Sequence, residues 1–220
     1  MKVPVFKNIL EANDRIAEQL RELFISKKVL VINLMSSPGA GKTTLLEVTV
    51  ERFKNQFTIG VIEGDIQSSV DAERLASHGI ETVQINTGGA CHLDGNMIWD
   101  AVKQFNLDYL DLLIVENVGN LVCPAEFSLG EQYKVMILST TEGDDKPQKY
   151  PLMFTESKVL LINKIDLLPH LNTKLEAIHE ACRNLNPDLI IFEVSATRGD
   201  GLDAWFSWLE ERIKETTGRE

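Results

Sequence analysis

One short loop decides the fold of this chain, Ser36-Ser37-Pro38-Gly39-Ala40-Gly41-Lys42-Thr43-Thr44. It follows a mostly apolar β-type run, Val29–Met35, and precedes a run with helical spacing, Gly41–Lys54. A strand, a glycine-containing loop and a helix start form the context that a phosphate-binding loop requires. The two glycines let backbone N–H groups approach phosphate oxygens, and the helix N-terminus adds free donors and a positive dipole. The stretch therefore predicts a binding site for a nucleoside phosphate.

Individual side chains of the loop have separate predicted roles. Lys42 is expected to reach the β and γ phosphates, and the Thr43 hydroxyl is expected to hold Mg²⁺. The remaining contacts are expected from Gly39, Ala40, Gly41 and Thr44. Ser36 stands where the G-x-x-x-x-G-K-T pattern begins with glycine, so the backbone there must tolerate a Cβ. The alternative interpretation is a chance Gly-Lys-Thr at a helix start.

Composition limits the classes of protein that the chain can belong to. It has 220 residues, of which 44% are hydrophobic and 25% charged, as in ordinary globular domains. We expect one domain over residues 1–220. The net charge of 22 − 33 = −11 argues against binding to nucleic acid or to an anionic membrane surface. No apolar run is long enough to span a membrane, and neither an export signal nor a disulfide framework is recognisable, so a cytoplasmic protein is expected.

Strand-like and helix-like runs alternate along the chain. This alternation predicts an α/β fold with a mainly parallel sheet and helices on both faces, the architecture of P-loop NTPases. An amphipathic helix within residues 1–27 is expected either to pack on this domain or to lie at an interface. The predicted strands are Val29–Met35, Thr58–Glu63, Thr82–Asn86, Asp111–Glu116, Lys134–Ser139, Lys158–Ile162 and Leu189–Val194, and the predicted helices are Gly41–Lys54, Ser68–His78, Gly95–Phe105, Thr173–Asn184 and Leu202–Lys214.

Two segments late in the chain indicate which base is bound. Asn163-Lys164-Ile165-Asp166 follows a strand and resembles the N-K-x-D signature of GTP-binding proteins. A carboxylate at Asp166 can accept hydrogen bonds from guanine N1–H and the exocyclic amine, a donor pair that adenine lacks. Lys164 can lie along the base, and Asn163 can connect this loop to the phosphate loop. Ser195-Ala196-Thr197, after the last strand, is similar to the loop whose backbone N–H contacts guanine O6. The alternative is an ordinary turn with a helix-capping Asp.

Carboxylates at strand ends are candidates for the Mg²⁺ site. Asp65 follows the second predicted strand, Asp71 lies six residues further on, and Glu116 ends the fourth strand. Such carboxylates can hold Mg²⁺ directly or through water. Gly119 can donate its N–H to the γ-phosphate, which makes Glu116–Gly119 a counterpart of the usual D-x-x-G switch; the alternative for Asp71 is a helix cap. No glutamine stands out as the residue that positions the attacking water, so slow intrinsic GTP hydrolysis is expected.

The cysteines leave two interpretations open. Cys91-His92 and Cys123 each follow a strand, so they can meet at the ligand-binding edge of the sheet. Two thiolates and an imidazole suit Zn²⁺ or Ni²⁺, but a closed tetrahedral site would need a further ligand, which a second subunit could supply. The alternative is that these are small buried cysteines. Cys182, in an apolar helical position, is expected in the core.

These residues together resemble the HypB family, GTPases that assist nickel insertion into [NiFe] hydrogenase. The most specific matching stretches are Asn86–Leu93, Glu116–Pro124 and Thr141–Pro147. The resemblance implies a fold of the signal-recognition and MinD-like GTPase class. It also implies a metal site at Cys91, His92 and Cys123 near the interface of a nucleotide-dependent dimer. The implied partners are a HypA-like nickel-binding protein and the hydrogenase large-subunit precursor. High-capacity nickel storage is not expected, because the first 90 residues contain no Cys and a single His, His78.

The sequence leads to one functional hypothesis and two rivals. A γ-phosphate that pulls on Glu116–Gly119 would shift Cys123 relative to Cys91 and His92, and so couple metal binding to nucleotide state. One rival is a GTPase chaperone of another metalloenzyme, of the urease or cobalamin-mutase type; the Cys-Pro-His motif of the urease relative is missing here. The other is a metal-binding scaffold with a vestigial nucleotide site. The Asn163–Asp166 segment disfavours a P-loop kinase.

Overall fold

The structure is a computed structural model that describes residues 5–65 and 79–219, with the backbone alone for residues 5–9. The predicted helix Ser68–His78 and Asp71 lie outside the described residues. The described α-helices are α1 (Val5–Lys27), α2 (Lys42–Phe53), α3 (Gly95–Val102), α4 (Cys123–Glu126), α5 (Lys146–Lys149), α6 (Pro151–Glu156), α7 (Leu175–Leu185) and α8 (Leu202–Thr217). The strands are β1 (Leu30–Ser36), β2 (Ile59–Asp65), β3 (Glu81–Asn86), β4 (Leu112–Glu116), β5 (Tyr133–Ser139), β6 (Val159–Asn163) and β7 (Ile190–Glu193).

The described strands form one seven-stranded sheet in the order β3-β2-β4-β1-β5-β6-β7, and every pair is parallel. The predicted α/β class is confirmed, and the sheet is wholly rather than mainly parallel across the described strands. The ends of each predicted strand lie within two residues of the ends of an observed strand. Asp65 is the last residue of β2 rather than the residue after it. Since all carboxyl ends share one edge, Asp65, Glu116 and Asn163 end their strands on the same side of the molecule.

Apolar clusters cover both faces of the sheet. On one face, Phe53 of α2 and Trp205 of α8 pack over β1 residues such as Leu30 and Ile32. The other face carries two clusters, one under α1 and α3 and one under α6 and α7. Because side chains alternate along a strand, Val31, Asn33 and Met35 all point to this second face. The three short helices α4, α5 and α6 were not predicted, since each has too few residues to show a helical period.

Helix α1 packs against the sheet beside α3 and contributes Leu20 and Phe24 to the cluster there. We expect Phe24→Ala to lower the free energy of unfolding by about 3–5 kcal/mol, because it removes a fully buried ring and leaves a cavity. Its neighbour Ile25 is 60% exposed, so Ile25→Ala on the same helix should change stability by less than about 1 kcal/mol. Urea unfolding of both variants measures the difference. Equal stability for the two variants would show that α1 does not pack on the sheet in solution.

No helix among the described residues is long and apolar enough to cross a membrane.

Candidate nucleotide and metal sites

A cleft of about 590 Å³ lies at the carboxyl edge of the sheet, around the loop between β1 and α2. It gathers predicted residues that are far apart in the chain, namely Gly39, Gly41, Lys42, Thr43, Thr44, Asp65, Glu116, Gly119 and Lys164. The backbone of Gly41 is left-handed, with φ 96°, at the start of α2. Among described residues other than glycine, only Lys28 and Lys164 have positive φ, so Ser36 sits in ordinary backbone where a Cβ is accommodated.

Glu116, the last residue of β4, contacts one cationic group and one hydroxyl group of the loop. Glu116 Oε1 accepts a hydrogen bond from Thr43 Oγ1 at 2.9 Å and lies 3.3 Å from Lys42 Nζ. The other oxygen, Oε2, is buried and has no hydrogen-bond partner among the described residues. Glu116 therefore orients the lysine and threonine toward the cleft, where incoming phosphate oxygens and a divalent cation would exchange with it.

A second buried carboxylate, Glu63, lines the same cleft and was not predicted. Glu63 is 3% exposed, and in the register of the sheet it lies beside Glu116 of the adjacent strand β4. The signal in the sequence was a glutamate inside an otherwise apolar strand, since buried charge is costly unless it has a partner or a function. Asp65, two residues along, lines the cleft as well.

The predicted switch lies directly against the phosphate loop. A Cβ added to Gly119 would lie 3.2 Å from Pro38 Cα, so the switch backbone passes the loop at a distance that leaves little room for a side chain. Val118 and Gly119 both line the cleft. The arrangement lets a phosphate bound in the loop reach the backbone that follows β4.

Asn163 joins the predicted base segment to the phosphate loop. Its Nδ2 donates to the Ala40 carbonyl at 2.9 Å, and its Oδ1 accepts from the Ala196 N–H at 3.0 Å. Lys164 has a left-handed backbone, with φ 64°, and its Nζ donates to the Gly39 carbonyl at 2.6 Å. Since Ala196 N–H is already engaged, it is not free for a base.

Asp166 and the last loop complete the predicted base region, beyond the residues that line the cleft. Asp166 Oδ1 is buried and has no hydrogen-bond partner in the described part of the chain, as a group kept for a ligand would be. In the last loop, Ser195 Oγ accepts from the Arg198 N–H at 3.2 Å and lies 3.3 Å from Thr197 Oγ1. These bonds hold the loop beside Asn163.

Cys91, His92 and Cys123 come together beside the switch. Their ligand atoms all lie within 4.8 Å of one another, with Cys91 Sγ 3.0 Å from Cys123 Sγ and 3.7 Å from His92 Nδ1. All the thiols are free; Cys91 is exposed and Cys123 partly exposed, which contradicts the alternative of small buried cysteines. Cys182 is buried, as predicted, and burial raises its pKa to about 11.

The electrostatics of this trio favour a metal cation over free thiolates. The hydrogen bond with Cys91, burial and the charge of a neighbouring Cys91 thiolate all raise the pKa of Cys123. Burial lowers the pKa of His92, whose ring stacks on Phe127 with centroids 3.8 Å apart, and a neutral imidazole is the form that binds metals. A divalent cation would deprotonate coordinating thiols outright.

Asn120 connects the two cysteine segments through its amide. Its Nδ2 donates to the Cys91 carbonyl at 3.2 Å, and its Oδ1 accepts from the Val122 N–H at 2.9 Å. Asn120 follows Gly119 directly, so the segment that borders the phosphate loop also touches both sides of the cysteine cluster.

The fold and the cleft define a P-loop nucleotide-binding protein, and comparison with known proteins places it further. The model of the CobW/HypB/UreG nucleotide-binding domain matches residues 30–193. The hydrogenase maturation factor HypB of Escherichia coli K12 is 51% identical over 203 residues, which cover 92% of this chain and 70% of that protein. The chain therefore belongs to the CobW/HypB/UreG family and, within it, to the HypB hydrogenase maturation factors.

Solved structures agree with this assignment. A crystal structure of HypB from Helicobacter pylori in complex with nickel superposes with a TM-score of 0.88 at 39% identity, covering 94% of this chain and 97% of that one. The signal recognition particle receptor FtsY from Elizabethkingia anophelis has a TM-score of 0.54 at 16% identity, covering 83% of this chain and 66% of that one. The second likeness shows the fold alone.

Proposed function

We propose that this protein is a GTP-hydrolysing metallochaperone that assists nickel insertion into the [NiFe] hydrogenase large subunit, with its Cys/His site coupled to nucleotide state. The observation that carries the proposal is the cluster of Cys91, His92 and Cys123, whose ligand atoms lie within 4.8 Å of one another beside the switch. Two sulfurs and an imidazole suit Ni²⁺ and Zn²⁺. Nickel is the cargo in this proposal.

The nucleotide half rests on the cleft. The loop from Gly39 to Thr44 binds the phosphates, Lys42 lies at the β and γ positions, and Asp166 selects guanine. Mg²⁺ would be held by the Thr43 hydroxyl with Glu116, Asp65 and Asp71, and it would neutralise charge that develops on the phosphates. Glu116 Oε2 and Asp166 Oδ1, which have no hydrogen-bond partner among the described residues, support a bound cation and a bound base respectively, since buried polar atoms normally have a partner. The products are GDP and phosphate, formed at a slow intrinsic rate.

The coupling rests on the short path between the two sites. Gly119 donates its N–H to the γ-phosphate, and Cys123 lies four residues beyond it. When Glu116–Gly119 moves toward the phosphate, Cys123 shifts relative to Cys91 and His92. Metal affinity then differs between the GTP and GDP states, and by linkage the metal changes nucleotide affinity by the same factor.

The wider assignment extends to the chain as a whole and to its partners. Residues 1–220 act as one GTPase domain in the cytoplasm, and the exposed cysteine edge suits a nucleotide-dependent homodimer that supplies the missing metal ligands. The partners are a HypA-like nickel protein, which delivers the ion, and the hydrogenase large-subunit precursor, which receives it.

Metal titration of cysteine variants tests the proposal. We expect wild type to bind one Ni²⁺ or Zn²⁺ per site and Cys91→Ala/Cys123→Ala to lose at least about tenfold in affinity, because two of the three ligands are gone. Cys182→Ala is the matched control, since this third thiol is buried away from the cluster and should leave metal binding unchanged. Each protein is titrated by calorimetry with GDP and with a non-hydrolysable GTP analogue.

The possible results separate the two halves of the proposal. If the double variant still binds metal, the proposed Cys/His site is wrong. If the metal affinity of wild type is equal in both nucleotide states, the proposed coupling is wrong. Wild type without GTP turnover would support a metal scaffold with a vestigial nucleotide site.

A further inference from the structure

The side-chain amide of Asn117 lies between the nucleotide cleft and the segment that carries Cys91 and His92. Asn117 is 1% exposed and follows the last residue of β4. Its Oδ1 accepts two backbone hydrogen bonds, from Val118 N–H at 2.9 Å and from Leu93 N–H at 3.2 Å. Val118 lines the cleft, and Leu93 follows His92. One oxygen atom therefore holds the switch backbone and the backbone of the metal segment together.

The other end of the same amide extends toward Cys123. Asn117 Nδ2 donates to Asn33 Oδ1 at 3.2 Å, and Asn33 Nδ2 donates to Glu131 Oε1 at 3.3 Å. Glu131 Oε2 accepts from the Leu129 N–H at 2.6 Å, in the segment that follows α4. Helix α4 begins at Cys123 and ends at Glu126, so the hydrogen-bonded path reaches the chain three residues after the helix that carries this cysteine.

Asn13 of α1 closes the path into a ring. Its Oδ1 accepts from the Gly95 N–H at 2.7 Å, just after the Cys91 segment. Its Nδ2 donates to the Ser128 carbonyl at 2.9 Å, just after α4. Both metal segments, the switch and the central strand are thus held by one set of buried amides and a carboxylate.

The position of this ring argues against a purely local role. Asn33 shares a sheet face with Val31 and Met35, which are apolar and fully buried. Apolar residues in place of Asn33, Asn117 and Glu131 together would avoid the cost of desolvating two amides and a carboxylate, and buried polar groups of this kind are destabilising unless fully paired. Buried positions are normally apolar, and departures from this rule concentrate at functional sites, so a polar ring between two apolar clusters indicates a function.

We propose that Asn117 is the positioning residue that transmits nucleotide state to the Cys91/His92/Cys123 site, an inference that rests on the proposed function. When Val118 and Gly119 move toward the γ-phosphate, the Val118 N–H shifts against Asn117 Oδ1, and the same oxygen draws on the Leu93 N–H. His92 and Cys91 then move with Leu93, and their positions change relative to Cys123. The geometry of the three ligands therefore depends on the nucleotide.

Nickel titration of Asn117→Ala, with Ni²⁺ alone as the probe, tests the proposal. In wild type we expect Ni²⁺ affinities with GDP and with a non-hydrolysable GTP analogue to differ by about tenfold or more. In Asn117→Ala that ratio should fall to within about twofold of one, although Ni²⁺ still binds because all three ligands remain. A merely structural role would weaken both affinities and leave their ratio intact.

Thr49→Val is the matched control for a lost buried hydrogen bond. Trp205 Nε1 donates to Thr49 Oγ1 at 3.1 Å, and both residues are buried between α2 and α8, on the opposite face of the sheet. The substitution removes this buried bond and the one that Thr49 Oγ1 donates to the Leu45 carbonyl at 2.7 Å, and it keeps the side-chain volume. We expect it to lower stability and to preserve the wild-type ratio of Ni²⁺ affinities.

Hydrogen exchange of the unmutated protein gives a second measurement, which serves if Asn117→Ala does not fold. In metal-free wild type, the exchange rate of the Leu93 amide should differ by about tenfold between the two nucleotide states, because its acceptor belongs to Asn117. The amide of Ile213 in α8 should exchange alike in both.

Each outcome decides a different statement. A folded Asn117→Ala that keeps the wild-type ratio, or a Leu93 amide that is indifferent to nucleotide, overturns the role of Asn117 and leaves the proposed function standing. Wild type that binds Ni²⁺ equally in both states overturns the proposed coupling and, with it, this inference.

Discussion

Gly41→Ala is expected to reduce GTP affinity by about 100-fold or more and to abolish measurable GTP turnover. Gly41 has φ 96°, and a Cβ there would clash with Asn163 Nδ2. The methyl group displaces the amide that bonds Ala40 and Ala196, at about 1 kcal/mol for each lost bond. Left-handed backbone adds about 1–2 kcal/mol for a residue with a Cβ. The sum of about 3–4 kcal/mol corresponds to more than 100-fold in a binding constant.

This cost falls on the bound state, because the free loop can relax to another backbone conformation whereas a bound nucleotide requires the observed one. Gly218→Ala is the matched control: Gly218 has φ 72° and ends α8, and a methyl group there would meet no atom of the described residues within 4 Å. It should lower stability by about 1 kcal/mol and leave GTP affinity unchanged. Fluorescent-nucleotide titration measures both variants. Wild-type GTP affinity in Gly41→Ala would show that this loop does not bind the phosphates.

Asp166→Asn is expected to weaken GTP binding by about 100-fold or more without changing the weak binding of ATP. A carboxylate that accepts two hydrogen bonds from guanine contributes about 1.5–3 kcal/mol for each bond. The asparagine amide replaces one acceptor with a donor and faces the donor groups of the base. Because Asp166 Oδ1 has no hydrogen-bond partner in residues 5–65 and 79–219, the substitution should leave the thermal midpoint close to wild type.

Asp100→Asn controls for the loss of one negative charge. Asp100 lies in α3, where its carboxylate pairs with Lys103 at 2.7 Å on the exposed side of the helix. The Asp100→Asn variant should have the GTP affinity of wild type, measured in competition titrations with GTP, GDP and ATP. Unchanged GTP affinity in Asp166→Asn would mean that another group recognises the base.

The phosphate loop and the base segment could be located from sequence because their chemistry is local. Gly39, Gly41, Lys42 and Thr43 lie within five positions, and the helix that follows supplies the donors without help from distant residues. Asn163 and Asp166 follow an apolar strand, so their place at the ligand-binding edge follows from the parallel sheet alone. Even the contact between Asn163 and the phosphate loop was predicted from the motif.

The cluster of Cys91, His92 and Cys123 was harder to predict from the sequence, because nothing local joins its parts. Cys91 and Cys123 are 32 positions apart, without the short spacing of a metal-binding motif. Because both cysteines follow strands, the sequence indicated that they lie at one edge of the sheet. It did not indicate the 3.0 Å between their sulfurs, which depends on β2, β3 and β4 lying side by side. Glu63 was missed since a single glutamate in an apolar strand has many explanations until its register neighbour is known.

By itself the sequence determined the class of fold, the position of the nucleotide loop and the residue types able to hold a metal, because each depends on short-range spacing and side-chain chemistry. The tertiary structure alone decided that Glu116 holds Lys42 and Thr43, that the two cysteines meet, and that Asn117 lies between the two sites. These facts depend on which strands neighbour one another and on a ring of hydrogen bonds among residues 13, 33, 93–95, 117 and 128–131. Such contacts arise only when the sheet brings distant segments together, since a hydrogen bond depends on the positions of its atoms and not on their separation in the chain.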